Sequence, residues 1–129
     1  MFNASTSSGP TYRIFAYGGF TDGNGTTLDA TKAGDNVTIT LNVPAAGNYD
    51  VKYAVKKHDT CGVVQLTIGG ANVGPAEDEY SANDAWQEFD LGTVSLPAGN
   101  VAFVFTVVSK NSASSGFTQS FDYIRLTPQ

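Results

Sequence analysis

Three stretches of the chain alternate apolar and other residues at every second position, over residues 37–43, 49–55 and 101–107. Successive side chains of a β-strand point to opposite faces of a sheet, so each stretch is typical of a strand with one buried face. Shorter or less regular strands are predicted at 12–16, 63–68, 71–73, 87–96 and 121–126, with a kink in the fourth of these at Gly92. The pattern therefore predicts about eight strands.

The remaining local signals also favour strands and turns. No window shows a 3.6-residue apolar period with a cap, so no helix beyond a turn or two is expected. Turn residues separate the strands at 44–48 (PAAGN) and 97–100 (PAGN), and Gly69-Gly70 is a two-residue hairpin signal. With 129 residues, 14 of them Gly, and 15% charged residues, we expect one all-β module spanning 1–129: a two-sheet antiparallel β-sandwich, jelly-roll-like.

The connections between the predicted strands fall into two length classes. Consecutive antiparallel strands alternate direction, so successive connections lie at alternate ends of the sandwich. One end then receives the tight turns at 44–47, 69–70 and 97–99. The other end receives the long segments 17–35, 56–61, 75–86 and 109–119. Loops carried on a rigid scaffold often bind ligands, so this long-loop end is the predicted functional end.

The long segments carry residue types that suit a sugar. Aromatic rings stack on sugar C–H groups, and amide, carboxylate and ammonium groups hydrogen-bond hydroxyls. The candidate carbohydrate-binding residues are the aromatic Trp86, Tyr80, Tyr17 and Phe20 and the polar Asp78, Lys110 and Asn111. Trp86 is the only tryptophan, and its place beside a strand fits a core residue and a ligand platform equally well.

Charge excludes several kinds of partner. The formal net charge is −5, with seven Lys plus Arg and no basic cluster, so nothing neutralises a nucleic-acid backbone or an anionic membrane. Acidic glycans are poor partners for the same reason. No run approaches 18 apolar residues. We expect neither nucleic-acid nor membrane binding, and we expect any export signal to lie outside this chain.

Catalysis has little support in the sequence. The common zinc, serine-nucleophile and phosphate-loop motifs are absent, and His58 is the single histidine. Cys61 lies three residues after His58. We interpret it as a small buried apolar residue rather than as a catalytic partner of His58. Glu88 and Asp90 lie on one strand face and cannot flank a sugar from opposite sides. We therefore predict no catalytic residue, no metal ligand and no enzyme activity.

Three motifs resemble the galactose-binding-like sandwich of carbohydrate-binding module families 6 and 35. Residues 34–51 (GDNVTITLNVPAAGNYDV) are similar to their "GD-V-T…V-P-x-A-G-x-Y-x-V" signature, and residues 121–126 (FDYIRL) to their closing "D-x-I-x-L" strand. Residues 91–99 (LGTVSLPAG) resemble their "L-x-A-G" strand pair. Residues 62–70, 78–80 and 109–117 also resemble the sandwich modules that trail bacterial glycoside hydrolases. The resemblance implies a galactose-binding-like sandwich fold and a sugar ligand.

Two departures limit what carries over from these families. They commonly open on a "Y-E-A-E" strand whose second glutamate helps to hold a structural calcium, but the nearest match here is 2–5 (FNAS), with both acids replaced. Their loop-end site commonly uses an asparagine two residues before the closing aspartate, and Ser120 occupies that position. We therefore expect no cofactor, with a structural calcium left as the alternative. We also expect residues other than Ser120 to make the sugar contact.

The combined interpretation is a non-catalytic module that binds a neutral or weakly charged polysaccharide or oligosaccharide at the long-loop end. The resemblance implies that such a module belongs to a larger, secreted protein and targets an attached catalytic domain to its substrate. The alternative is an interaction or spacer module that positions a neighbouring catalytic domain without binding sugar. Such a module would expose an apolar docking patch rather than an aromatic cleft.

Overall fold

The structure, a computed structural model, describes the backbone of residues 3–6, 12–16 and 24–129 and the side chains of residues 26–129. Within these residues the chain forms ten strands and no helix. The strands are β1 (Asn3–Thr6), β2 (Tyr12–Ala16), β3 (Asn24–Leu28), β4 (Asn36–Val43), β5 (Gly47–Lys57), β6 (Val63–Ile68), β7 (Ala71–Asp78), β8 (Ala85–Leu96), β9 (Gly99–Ser109) and β10 (Gln119–Pro128). In this described part of the chain, no helix is long and apolar enough to cross a membrane.

The strands form two five-stranded sheets. Sheet A has the order β1-β4-β9-β6-β7 and sheet B the order β2-β3-β10-β5-β8. Neighbouring strands in both sheets pair antiparallel. The predicted all-β two-sheet sandwich is confirmed. Each predicted strand is present, and β1 and β3 are additional.

The core lies between the two sheets and is built from the alternating positions. In β9 the inward residues Val101, Phe103, Phe105 and Val107 are buried, and the residues between them are more exposed. Tyr53 of β5 stands at the centre of an aromatic cluster, with its ring centroid 5.1 Å from that of Phe105 and 5.4 Å from that of Phe89. Tilted ring pairs at such distances are favourable contacts in a protein core. In β4, β5 and β9 the alternation in the sequence therefore specifies which face of the strand is buried.

Glycine residues form the predicted hairpin and kink. Gly69 and Gly70 both have positive φ angles, 61° and 81°, as a two-residue type I′ hairpin turn requires. Gly92 has a φ of 89°, and the pairing of β5 with β8 shifts register between Asp50 and Lys52, directly across from it. The kink predicted at Gly92 is thus a β-bulge in β8.

The strand register places the tight turns and most of the long segments as predicted. Val43 pairs with Gly99 and Gly47 with Leu96, so the tight turns at 44–46 and 97–98 share one end. The opposite end receives the longer connections 29–35, 58–62, 79–84 and 110–118. The predicted segment 17–35 is interrupted by β3, and its first part, 17–23, lies outside the described residues. Leu28 pairs with Gln119 at the long-loop end, whereas Ala16 and Asn24, which pair with each other, form the other ends of β2 and β3. The prediction that all of 17–35 lies at the long-loop end is therefore wrong for the part between β2 and β3.

Candidate functional site

A pocket of about 200 Å³ opens at the long-loop end. Val55 and Phe121 point into the core, so their chain neighbours Lys56 and Ser120 point to the outer face of sheet B. Thr27 of β3 pairs with Ser120 and lies on that face as well. The residues that line this loop-end pocket are Thr27, Asp29, Lys56, His58, Thr60, Thr118 and Ser120.

Hydroxyl groups form one part of the loop-end pocket. Thr60 Oγ1 lies 3.0 Å from Thr118 Oγ1, and the Thr118 hydroxyl is also within hydrogen-bond distance of the Thr60 carbonyl oxygen, at 2.9 Å. Thr27 Oγ1 lies 3.3 Å from Ser120 Oγ. A hydroxyl both donates and accepts, so these side chains can match the hydroxyl groups of a polar ligand in either role.

Lys56 lies at the wall of the pocket, and only 5% of its surface is exposed. Lysine is seldom buried unless its ammonium group is paired, and here Asp84 Oδ1 lies 3.3 Å from Lys56 Nζ. The same Asp84 oxygen is 2.5 Å from His58 Nδ1, while His58 Nε2 is 3.1 Å from Asp59 Oδ1. Asp84 therefore joins the end of β5 to the 79–84 connection.

Trp86 adjoins this group on sheet B. It pairs with Lys56 across the β5–β8 ladder, and residues directly opposite each other point to the same face. Its side chain is 39% exposed. Of the two interpretations left open by the sequence, core residue and surface platform, the structure favours the surface. The loop-end pocket thus has an exposed aromatic side chain on the strand next to Lys56.

Hydrogen bonds between the loops hold the loops around the pocket together. Ser114 Oγ lies 2.7 Å from the carbonyl oxygen of Cys61, 3.2 Å from that of Asp59 and 3.0 Å from that of Gly116. His58 N donates to the Glu79 carbonyl, and Glu79 N donates to the Gly62 carbonyl. The 58–62, 79–84 and 110–118 connections therefore form one hydrogen-bonded unit.

The predicted polar residues of the site form a separate cluster at the same end. Asn111 Nδ2 donates a 2.9 Å hydrogen bond to Asp78 Oδ2, and the backbone N–H of Tyr80 donates to Asp78 Oδ1. Lys110 Nζ donates to the Ser114 carbonyl at 2.8 Å and lies 5.8 Å from the centroid of the Phe117 ring. The structure brings Asp78, Asn111 and Tyr80 together, and these three do not line the pocket.

Two of the predicted aromatic residues, Tyr17 and Phe20, lie outside the described residues. Tyr80 is half-buried and connects to the pocket through its chain, since its backbone pairs with that of His58 in an isolated bridge. Of the seven predicted site residues, Trp86 has the most direct relation to the pocket. It neighbours Lys56, which is a lining residue.

The sequence did not single out the hydroxyl lining of the pocket. Thr118 and Ser120 alternate with the inward Gln119 and Phe121, a strand pattern that could have extended the predicted strand towards the loop. In the sequence, Ser120 stands out only as the residue at the family's asparagine position. The structure places that position in the pocket lining. Among residues 26–129, no group of three or more His, Cys, Asp or Glu side chains is placed to hold a metal ion.

Comparisons with solved structures agree with this fold. A family 35 carbohydrate-binding module from Clostridium thermocellum superposes with a TM-score of 0.65 at 17% identity, over 98% of this chain and 92% of that one. This chain has the fold of a family 35 carbohydrate-binding module. The GH26-CBM35 β-(1,4)-mannanase of Podospora anserina gives a TM-score of 0.66 at 18% identity, and the chain covers 28% of it. The family 35 resemblance inferred from the sequence is thereby confirmed at the level of the fold.

A Paenibacillus xanthan lyase is also similar to this chain. The TM-score is 0.87 at 28% identity, over 99% of this chain. The chain spans only 12% of the length of that lyase. No family model matches the chain, and no curated protein matches it. The family 35 fold is thus supported by structures, several of which belong to much longer chains.

Proposed function

We propose that residues 1–129 form a single non-catalytic module that binds a neutral or weakly charged glycan at the long-loop end. The observation that carries the proposal is the exposed Trp86 beside a pocket lined by hydroxyl groups and Lys56. A sugar ring stacks on Trp86, and its hydroxyl groups exchange hydrogen bonds with Lys56 and the Thr and Ser side chains. Oppositely charged groups, Lys56 and Asp29, line the pocket, which favours a ligand of low net charge.

The size of the pocket supports recognition of one sugar unit at a time. Its volume of about 200 Å³ is below the roughly 300–1,000 Å³ typical of pockets that enclose drug-sized ligands. One unit enters the pocket and the neighbouring unit lies over Trp86. Tyr80, Asp78, Lys110 and Asn111 at the same end extend the contact surface, and Tyr17 and Phe20 stay predicted contacts.

The wider role is targeting. The family 35 fold and the much longer chains in which similar modules occur support a place in a larger secreted protein with a catalytic domain. Binding by this module would keep that catalytic domain close to its polysaccharide substrate.

Affinity electrophoresis and calorimetry over a polysaccharide panel test the proposal. The panel includes β-1,4-mannan, the polymer named for the similar mannanase, and the acidic polymer xanthan, named for the similar lyase, together with neutral plant and fungal polysaccharides. We expect selective binding that weakens at least about tenfold in Trp86→Ala. Val108→Ala is the control, because Val108 is also an exposed apolar residue but lies on the outer face of sheet A.

The spacer alternative predicts a different outcome. A docking module needs a contiguous apolar patch. Among the described side chains, the large exposed apolar residues are Trp86 and Val108, which belong to different sheets. An absence of binding across the whole panel, with a correctly folded protein, would contradict the sugar-binding proposal and favour the spacer.

A further inference from the structure

A hydrogen-bonded bridge crosses the outer face of sheet B next to the loop-end pocket. Glu88 of β8 and Tyr123 of β10 both pair with Ala54 of β5, one from each side, so the three side chains point to the same face. The Tyr123 hydroxyl donates a 2.6 Å hydrogen bond to Glu88 Oε2. Arg125 Nη2 lies 2.6 Å from Glu88 Oε1 and 2.7 Å from Glu88 Oε2. We call Glu88, Tyr123 and Arg125 together the Glu88 bridge.

The Glu88 bridge covers the strand that lies between its two ends. Tyr53 and Val55 are buried in the core, so Ala54 between them points to the outer face of sheet B. Only 5% of the surface of Ala54 is exposed even so. The Glu88 and Tyr123 side chains meet across this strand, and a short side chain such as alanine fits beneath them. The outer face of sheet B is therefore closed over β5 at Ala54.

Charge strengthens the Glu88 bridge. Hydrogen bonds that a carboxylate accepts are shorter and stronger than those between neutral groups, and the three contacts of 2.6–2.7 Å are of this kind. The Tyr123 hydrogen bond, followed by the Arg125 guanidinium, holds the pKa of Glu88 below its ordinary value. Glu88 is therefore a carboxylate at neutral pH, and both partners donate to it.

The Glu88 bridge lies directly beside the predicted path of the glycan. Ala54 precedes the pocket-lining Lys56 by two residues on β5, and Glu88 follows the exposed Trp86 by two residues on β8. Residues two apart on a strand share a face and lie roughly 7 Å apart. A substituent that a bound sugar directs along the strands, away from the loops, therefore meets the bridge.

The opposite side of the pocket is formed by loops. The lining residues Thr60 and Thr118 belong to the 58–62 and 110–118 connections. A glycan in the pocket therefore lies between these loops and the Glu88 bridge, and its chain runs across the strands rather than along them. In that direction it reaches the exposed Trp86 on β8, the edge strand of sheet B.

We propose that Glu88, Tyr123 and Arg125 determine the specificity of the sugar site by excluding branches on one side of the bound chain. This inference rests on the proposed function. A linear glycan fits between the loops and the Glu88 bridge, whereas a branch directed towards Ala54 collides with the bridge. Binding such a branch requires the bridge to open, which breaks hydrogen bonds to a charged group. The module thus selects neutral glycans that are unbranched over the sugar units it binds.

Calorimetric titration with paired ligands tests the inference. The pair is the best-binding linear polysaccharide and the same backbone with single-sugar branches, for example β-1,4-mannan and a galactose-branched mannan. Wild type should bind the linear form roughly tenfold more tightly or better. Glu88→Ala removes the acceptor for both Tyr123 and Arg125 and should reduce this ratio to about twofold or less. A bridge that only stabilises the fold would instead affect both ligands equally and leave the ratio unchanged.

Two further variants complete the experiment. Asp90→Asn is the matched control, because Asp90 is the next outward acidic residue of β8 and pairs with Lys52 rather than with the Glu88 bridge. It should keep the wild-type ratio. Tyr123→Phe removes one hydroxyl group and keeps the ring. It should lower the ratio in the same direction as Glu88→Ala, and it serves as the test if Glu88→Ala does not fold.

The possible failures are distinguishable. Equal wild-type affinity for the linear and the branched ligand would overturn this inference and leave sugar binding intact. A preference for the linear ligand that stays unchanged in the folded bridge variants would do the same. An absence of binding to every polysaccharide tested would instead overturn the proposed function and the inference with it.

Discussion

The hydroxyl group of Tyr53 donates a 3.4 Å hydrogen bond to Glu79 Oε2, and both side chains are buried in the core near the long-loop end. The other carboxyl oxygen of Glu79 has no hydrogen-bond partner within the described part of the chain. Burial raises the pKa of the Glu79 carboxyl well above its ordinary value, and the Tyr53 hydrogen bond offsets only part of this rise. The folded protein therefore favours the neutral form of Glu79.

This relationship predicts that Glu79 makes the protein less stable as the pH rises. The folded-state pKa exceeds the ordinary value of 4.5, so between the two values the folded state binds more protons than the unfolded state. The contribution of Glu79 to the free energy of unfolding is complete below about pH 4.5 and declines up to the folded-state pKa. Glu79→Gln should remove this decline and stabilise the protein at pH 7.5 by on the order of 1 kcal/mol or more.

Urea denaturation of wild type and Glu79→Gln at pH 4.5 and pH 7.5 measures this effect. The difference in the free energy of unfolding between the two proteins, compared at the two pH values, separates the contribution of Glu79 from that of the other carboxylates. Glu77→Gln is the comparison: burial raises the pKa of Glu77 as well, but this side chain is only partly buried, so its pH-dependent effect should be smaller than that of Glu79→Gln. A Glu79→Gln variant that is destabilised equally at both pH values would contradict the assignment.

Gly62 is predicted to be essential for the packing of the loop end. A Cβ atom at this position would lie 2.8 Å from Val107 Cγ1 and 3.1 Å from the carbonyl oxygen of Ser109. Gly62→Ala should therefore lower the free energy of unfolding by about 1–3 kcal/mol. Gly47→Ala is the matched control, because a Cβ there meets nothing within 4 Å. Equal stability of the two variants in urea denaturation would show that the loop end packs differently.

Cys61 is predicted to be unreactive in the folded protein. Burial is the main cause that raises the pKa of its thiol to about 12, and the thiolate is the reactive form. A disulfide exchange reagent at pH 8 should therefore leave the native protein unmodified over minutes and label one thiol per chain in denaturant. Rapid labelling of the native protein would mean that the loops covering Cys61 open readily.

The strand pattern predicted most of the fold because alternation reports burial directly. Val101, Phe103 and Phe105 alternate in the sequence and are all buried. The strands β1 and β3 lack this pattern, since Asn3–Thr6 and Asn24–Leu28 are rich in Asn, Thr and Gly. They become strands because β4 and β10 offer them edges for pairing. That partnership is a property of the folded sheet and leaves little signal in the local sequence.

The candidate site was only partly predictable for a similar reason. Trp86 stands out in the sequence as the single tryptophan next to a long loop, and it lies beside the pocket. Thr27 and Ser120 are 93 positions apart and come together only through the pairing of β3 with β10. Isolated Ser and Thr residues are common in a strand-rich chain, so nothing in the sequence distinguishes Thr27 and Ser120 from the other Ser and Thr residues. Their convergence follows from strand register, which the sequence pattern left open.

The most direct test of the account is the location of sugar binding. In two-dimensional NMR spectra, titration with an oligosaccharide of the best-binding polysaccharide should shift the signals of Lys56, Thr118 and Ser120 and the indole N–H of Trp86. Signals from the turns at 44–46 and 97–98, at the opposite end, should stay unchanged. Shifts confined to those turns, with the pocket signals unaffected, would contradict the central claim that this module binds sugar at its long-loop end.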